Sequence, residues 1–89
     1  MIFKVLVSKN ALSNVPTERR DQIKEALKEL ESPFGGGNQK KLKGYKTELF
    51  RLRIGDYRAF YTIDFENKIV KVLEILTAEQ AHKKYDRLV

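Results

Sequence analysis

Three arginines, Arg51, Arg53 and Arg58, fall within the stretch F-R-L-R-I-G-D-Y-R-A-F-Y from Phe50 to Tyr61, at spacings that crowd them onto one face of a β-hairpin. Gly55-Asp56 is a two-residue loop signal, and it sets Ile54 opposite Tyr57, Arg53 opposite Arg58 and Leu52 opposite Ala59. Because strand side chains alternate, Phe50, Leu52, Ile54, Tyr57, Ala59, Tyr61 and Ile63 share one side and the arginines share the other. Like charges directly opposite each other destabilise a ladder, and arginine cannot escape by losing its proton. An anion is the natural occupant of such a face, and guanidinium groups suit phosphate oxygens through bidentate contacts.

Arginine is no general base, so proton transfer needs another group. His82 has the right intrinsic pKa and lies three residues before Tyr85, so both rings can face the same way on a helix. Each also has a plain structural role: His82 as an exposed helix residue near Asp86, and Tyr85 as a core aromatic continuing a face of Ala78, Ala81 and Leu88. The sequence leaves both open. Metal chemistry has little to draw on, with one histidine and no cysteine. A Ser-His-Asp triad lacks a serine in a nucleophile turn. Phosphodiester chemistry on RNA fits better, because the 2′-OH of the substrate is the nucleophile and the protein need only orient it and stabilise charge.

The 89 residues carry a formal charge of +6. Between Lys40 and Arg58 seven basic residues face only Glu48 and Asp56, a local net of +5. Such concentration favours a polyanion, nucleic acid first among them, over a basic loop kept for solubility. Lys40, Lys41, Lys43 and Lys46 are the candidate RNA-binding residues of this segment. A length of 89 residues supports one domain, 1–89. No apolar run approaches the roughly 18 residues that span a bilayer, so the chain reads as soluble and cytoplasmic. The lack of cysteine rules out disulfides and fits a reducing compartment.

The elements that must position these side chains follow from pattern. Ile2 to Val7 reads as a strand, and Ser8 to Val15 as an irregular helical turn ended by Pro16. Thr17 is placed to cap a helix in which Ile23, Ala26, Leu27 and Leu30 form the apolar stripe, running to about Glu31 before Ser32-Pro33. Phe34-Gly-Gly-Gly-Asn-Gln reads as a loop leading into Lys40-Lys41-Leu42-Lys43-Gly44, and the Walker pattern is absent. The arginine hairpin follows, then a turn over Asp64 to Lys68 and a strand from Ile69 to Leu76. Thr77 and Gln80 form a T-x-x-Q capping box that starts a terminal helix. The order β-α-α-β-β-β-α implies an α+β fold: a small antiparallel sheet packed on an N-terminal helical pair, with a short C-terminal helix and the arginine face left open.

The order of elements, the L-K-G at Leu42 to Gly44, the Phe50 to Tyr61 hairpin, the K-I-V-K-V-L-E-I-L strand and the tyrosine on the following helix together resemble the RelE toxins of the RelE/ParE superfamily. The resemblance covers nearly the whole chain, and the hairpin with Y-R after its turn is its most specific part. It implies a cytosolic toxin of a type II toxin-antitoxin system that cuts messenger RNA in the ribosomal A site. It also implies neutralisation by a cognate RelB-type antitoxin in a higher-order heteromer, and no metal or cofactor. By the same resemblance Arg58 stabilises the phosphate, Arg51 and Arg53 stand where the best-studied member has lysines, and Tyr85 is the terminal-helix tyrosine. The arginine expected shortly before that tyrosine aligns near Glu79, while some relatives use a histidine in this region, here His82. A ParE-like inhibitor of DNA gyrase is an alternative. So is a plain RNA-binding module in which Phe60 and Tyr45 stack bases beside the arginines.

Overall fold

In the computed structural model, which describes residues 2–33, 38–42 and 48–85, the arginine hairpin forms as its sequence dictates. Strand β3 (Leu49–Ile54) pairs antiparallel with β4 (Tyr57–Asp64), with Ile54 opposite Tyr57, Arg53 opposite Arg58 and Leu52 opposite Ala59. Gly55 takes a φ of +53°, and Asp56 is not among the residues of positive φ. A single positive φ at the first central residue matches the II′ class of tight hairpin turn, whose twist suits the flanking strands.

Five strands make one sheet in the order β1-β5-β4-β3-β2. The remaining strands are β1 (Lys4–Val7), β2 (Gln39–Leu42) and β5 (Ile69–Thr77). From β2 the chain meanders antiparallel through β3 and β4 to β5, and β5 then lies parallel to β1. The chain passes from β1 at one edge of the sheet to β2 at the other by a crossover made of a 3₁₀ turn at Ala11–Asn14, helix α1 (Thr17–Leu27) and a second 3₁₀ turn at Lys28–Glu31. The Phe3 N–H donates to the carbonyl of Glu31 at 2.9 Å, tying the start of the sheet to the end of that crossover. Helix α2 (Ala78–Lys84) follows β5 without a break.

The α+β class and the antiparallel meander stand as the sequence implies, with three local differences. The cap position of α1 is Pro16, in an extended conformation, so Thr17 is already helical and makes no side-chain cap. The helix gives way to 3₁₀ geometry after Leu27, and Ser32 leaves the helical region because a residue before proline is pushed out of it. Finally Gln39 to Leu42, where the sequence marks the end of a loop at Gln39 and no element beyond it, is an edge strand whose order comes from pairing with β3 rather than from any apolar pattern of its own. Its two lysines suit a sheet edge, where charge discourages pairing with other chains.

The main core lies on the side of the sheet that faces α1. Ile23 and Leu27 from the helix and Leu30 just beyond it cluster with Leu52, Ile54, Tyr57, Ala59, Tyr61, Val70, Val72 and Ile75. The stripe of Ile23, Ala26, Leu27 and Leu30 is the face expected from its spacing, with Ala26 half-buried. A second, smaller cluster forms on the reverse side, where Ala81 of α2 covers Phe60 and Leu42, with Leu49, Leu76 and Tyr85 partly buried around them. The arginine face is therefore open only in part.

Two expectations follow. Gly55→Val forces a β-branched residue into the left-handed region, and should lower unfolding free energy by about 1–2 kcal/mol. Urea titration reads it as a lower midpoint with an unchanged slope. The second concerns alkaline stability. Burial, and after it the Glu29 charge, pushes the Tyr61 phenol up to about 12, whereas an unfolded tyrosine titrates near about 10. A folded value above the unfolded one means that this contribution is complete below about pH 10 and is lost as pH rises through the folded pKa. The phenolate absorbance should show a late step that coincides with unfolding, and Tyr61→Phe should remove it.

Candidate active site

Two rows of side chains cross the reverse face of the sheet. In the first, Lys40 of β2, Arg51 of β3, Phe60 of β4 and Glu74 of β5 are successive cross-strand partners. In the second, Arg53 of β3, Arg58 of β4 and Leu76 of β5 are. The rows are in step only because the ladder between β4 and β5 is irregular: Phe60 pairs with Glu74 while its neighbour Tyr61 pairs with Val72, which leaves Leu73 as an extra, bulged residue. Leu73 is 42% exposed, whereas Val72 and Ile75 on either side of Leu73-Glu74 are buried in the main core. Simple alternation from Val72 would have turned Glu74 into that core. The bulge re-aims it onto the arginine face and keeps Ile75 inside, a familiar use of bulges beside functional sites.

The three arginines differ in their surroundings. Arg58 is partly buried, and its Nη1 donates to the carbonyls of Gly55 at 2.8 Å and Tyr57 at 2.9 Å, so the guanidinium folds back over its own turn. Burial lowers its pKa from the ordinary value, Arg53 and then Arg51 push the same way, and Asp56 opposes them. The group stays a cation, in a setting that would welcome an anion. Arg51 keeps its Nε buried without a hydrogen-bond partner among the described residues. Arg53 is exposed.

Helix α2 is fixed from its first residue. The Thr77 side chain accepts from the Gln80 N–H at 3.1 Å and the Gln80 side chain accepts from the Thr77 N–H at 3.0 Å, the capping box expected from T-x-x-Q. The Ala78 N–H donates to the carbonyl of Asp56 at 2.7 Å, so the hairpin turn and the helix start are joined. Tyr85, at the far end, stacks on Phe60 with ring centroids 4.3 Å apart and planes 29° from parallel. Its hydroxyl donates to Glu74 Oε2 at 2.8 Å, and Lys84 Nζ donates to Glu74 Oε1 at 2.7 Å.

Arg51, Arg53 and Arg58 thus share one face, as their spacing requires, and Lys40 joins them. Lys41 pairs with Phe50 on the other side of the pleat and sits 3.3 Å from Glu48. Lys43, Lys46 and Tyr45 lie outside the described residues, as do Asp86 and Leu88. His82 is exposed on α2, while Tyr85 is half-buried against the sheet. Phe60 cannot stack bases: it is 0% exposed, because the Tyr85 ring and Ala81 cover it. Glu74 is not among the residues whose type and spacing point to the site in the sequence. The signal for it is the break in alternation at V-L-E-I-L, where an acidic residue falls on the parity of the buried valines. No group of three or more His, Cys, Asp or Glu able to hold a metal ion occurs among the described residues.

Solved structures similar to this one include RelE toxins, alone and with their antitoxins. The archaeal RelE of the RelE-RelB complex from Pyrococcus horikoshii is 28% identical, with a TM-score of 0.65 over 86% of this chain and 96% of that one. A mutant of E. coli toxin RelE in the free state is 26% identical, with a TM-score of 0.65 over 98% and 97% of the two chains. The toxin-antitoxin complex RelBE2 of Mycobacterium tuberculosis gives a TM-score of 0.73 at 24% identity, covering 86% and 99% of the two chains, a likeness of fold. Among proteins with curated descriptions, none matches in sequence. The sequence pattern of the family described as the ParE toxin of type II toxin-antitoxin system, parDE, matches residues 9–82. With that match across most of its length, this chain belongs to the ParE toxin family, within the RelE/ParE superfamily of type II toxin-antitoxin toxins.

Proposed function

We propose that this toxin is a ribosome-dependent endoribonuclease that cuts messenger RNA in the A site and so inhibits translation in the cytoplasm. The observation that carries the reading is the arginine face: Arg53 set directly against Arg58, with Arg51 beside them holding an Nε that has no hydrogen-bond partner among the described residues. A ladder that tolerates this repulsion is suited to an anion, and a scissile phosphate offers oxygens to all three guanidinium groups. The likeness to E. coli RelE over nearly the whole chain supports the same reading.

In this reaction the 2′-oxygen of the RNA attacks the adjacent phosphorus and the 5′-oxygen leaves. The guanidinium of Arg58 turns from the carbonyls of its own turn to the phosphate, and Arg53 and Arg51 neutralise the charge that builds on the phosphorane. Lys40, with Lys43 and Lys46 following it in the chain, holds the flanking backbone, a contact that carries no sequence information. Tyr85 and His82 are the proton-transfer candidates. The solved complexes of archaeal and mycobacterial relatives with RelB-type antitoxins support a partner of that kind here. The exposed edge strand β1 and the apolar side chains of Ile2, Leu6 and Val7 offer it a surface.

A second reading rests on the family match itself, which is to ParE toxins: inhibition of DNA gyrase, with the basic face docking on protein or DNA. Inducible expression with mapping of messenger 5′ ends on ribosomes separates the two. New 5′ ends at A-site codons are expected, with growth arrest, and Arg58→Ala should abolish both while keeping the wild-type circular dichroism spectrum. Its loss in cleavage rate should reach about 10²–10³-fold, the scale of removing one charge-stabilising donor. Full cleavage by Arg58→Ala would overturn the assignment, and supercoiling inhibition with unchanged messenger ends would establish the second reading instead.

A further inference from the structure

We propose that Glu74 is a positioning residue that works through Tyr85, orienting the phenol and accepting its proton as the phenol takes the proton of the attacking 2′-hydroxyl. The inference rests on the endoribonuclease reading and supplies what the arginines cannot, a place for that proton.

Three observations converge on Glu74. The bulge at Leu73 turns its carboxylate onto the arginine face instead of into the core. On that face it is the diagonal cross-strand neighbour of Arg58, since Arg58 pairs with Leu76 two residues along β5. Diagonal neighbours stand about 7–8 Å apart, within reach of long side chains. Lastly, its two oxygens are divided: Oε1 accepts from Lys84 at 2.7 Å and Oε2 accepts from the Tyr85 hydroxyl at 2.8 Å. The Tyr85 ring is itself stacked on Phe60, the cross-strand partner of Arg51 and Glu74, so the phenol is held on the arginine face with its hydroxyl at the carboxylate.

A neutral phenol is a poor base at neutral pH, because an ordinary tyrosine loses its proton only near about pH 10. A phenol that donates to a carboxylate is better placed, since its proton has somewhere to go. The 2′-oxygen to phosphorus bond forms while the bond from phosphorus to the 5′-oxygen breaks, and the electron pair leaves with that oxygen. The 2′-hydroxyl proton passes to Tyr85 Oη as the Tyr85 proton passes to Glu74 Oε2. The departing 5′-oxygen takes a proton from water, and Glu74 returns its proton to solvent. Lys84 keeps Oε1 occupied, which leaves Oε2 directed at the phenol.

The test is single-turnover cleavage of messenger on programmed ribosomes by purified toxin. Glu74→Gln retains length and an oxygen acceptor for the phenol but cannot take up its proton, and it should slow cleavage about 10²–10⁴-fold, the usual scale of general base catalysis. Its rate should climb in proportion to hydroxide through neutral pH, where the wild type is level, a change that loss of packing would not produce. Tyr85→Phe keeps the stacking and should lose a similar factor. The double variant should be no slower than the slower single, because the two groups act as one unit. Cleavage by Glu74→Gln within about twofold of wild type, or losses that multiply in the double variant, would overturn the proposal even if one variant folded poorly. Should Arg58→Ala abolish cleavage under those same conditions, the endoribonuclease reading stands without it. Absence of cleavage by the wild type overturns both.

Discussion

The pleat of β4 governs the molecule. Tyr57, Ala59 and Tyr61 point into the main core and Phe60 into the smaller cluster beneath α2, so this strand is packed on both faces and has no freedom to slide. A slip of one residue would drive Arg51, Arg53 and Arg58 toward the core and bring the core residues out. The magnitudes make such a slip prohibitive. Setting Arg53 against Arg58 costs about 0.2–1 kcal/mol, whereas each large apolar side chain withdrawn from water contributes about 1.5–3 kcal/mol. With Leu52, Ile54, Tyr57 and Tyr61 all buried from this one hairpin, repulsion on the reverse face is held in place by packing on the front.

What could be read from the chain, and what could not, follows from how local each determinant is. The turn at Gly55 and the capping box at Thr77 and Gln80 are set by residues within a few positions of each other, and both formed as their types require. The strand at Gln39 to Leu42 has no such code; it exists because β3 offers a ladder edge. The missing cap at Thr17 is a competition that Pro16 wins by entering the helix from an extended conformation. Burial of Phe60 depends on where Tyr85 lands, a contact spanning 25 positions that no period in the sequence encodes. The arginine face was therefore legible, and its roof was not.

The bulge at Leu73 is the least local of these features and the one on which the site depends most. Regular alternation along V-L-E-I-L would bury Glu74 and expose Ile75, the wrong outcome for each. Burying an unpaired carboxylate costs far more than letting one residue loop out, so the ladder yields at Leu73. The correction carries a consequence for function, because it delivers a carboxylate to a face otherwise dominated by cations. Lys84 and the Tyr85 hydroxyl then take its oxygens.

A carboxylate beside the proposed phosphate site looks counterproductive, since it would repel the ligand that the arginines are proposed to hold. The geometry limits the damage. Lys84 carries the opposite charge and contacts Glu74 at 2.7 Å, so part of the carboxylate field is compensated locally. In the proposed relay that residual repulsion changes during the reaction. Proton uptake removes the charge of Glu74 as negative charge builds on the phosphorane, so charge moves from the edge of the face to the centre of the arginine cradle. Arg58, Arg53 and Arg51 then gain more from the transition state than from the bound substrate, and only such a difference accelerates a chemical step. Glutamate at position 74 would in this way make the arginines more effective catalytically, while weakening the binding of the uncleaved RNA.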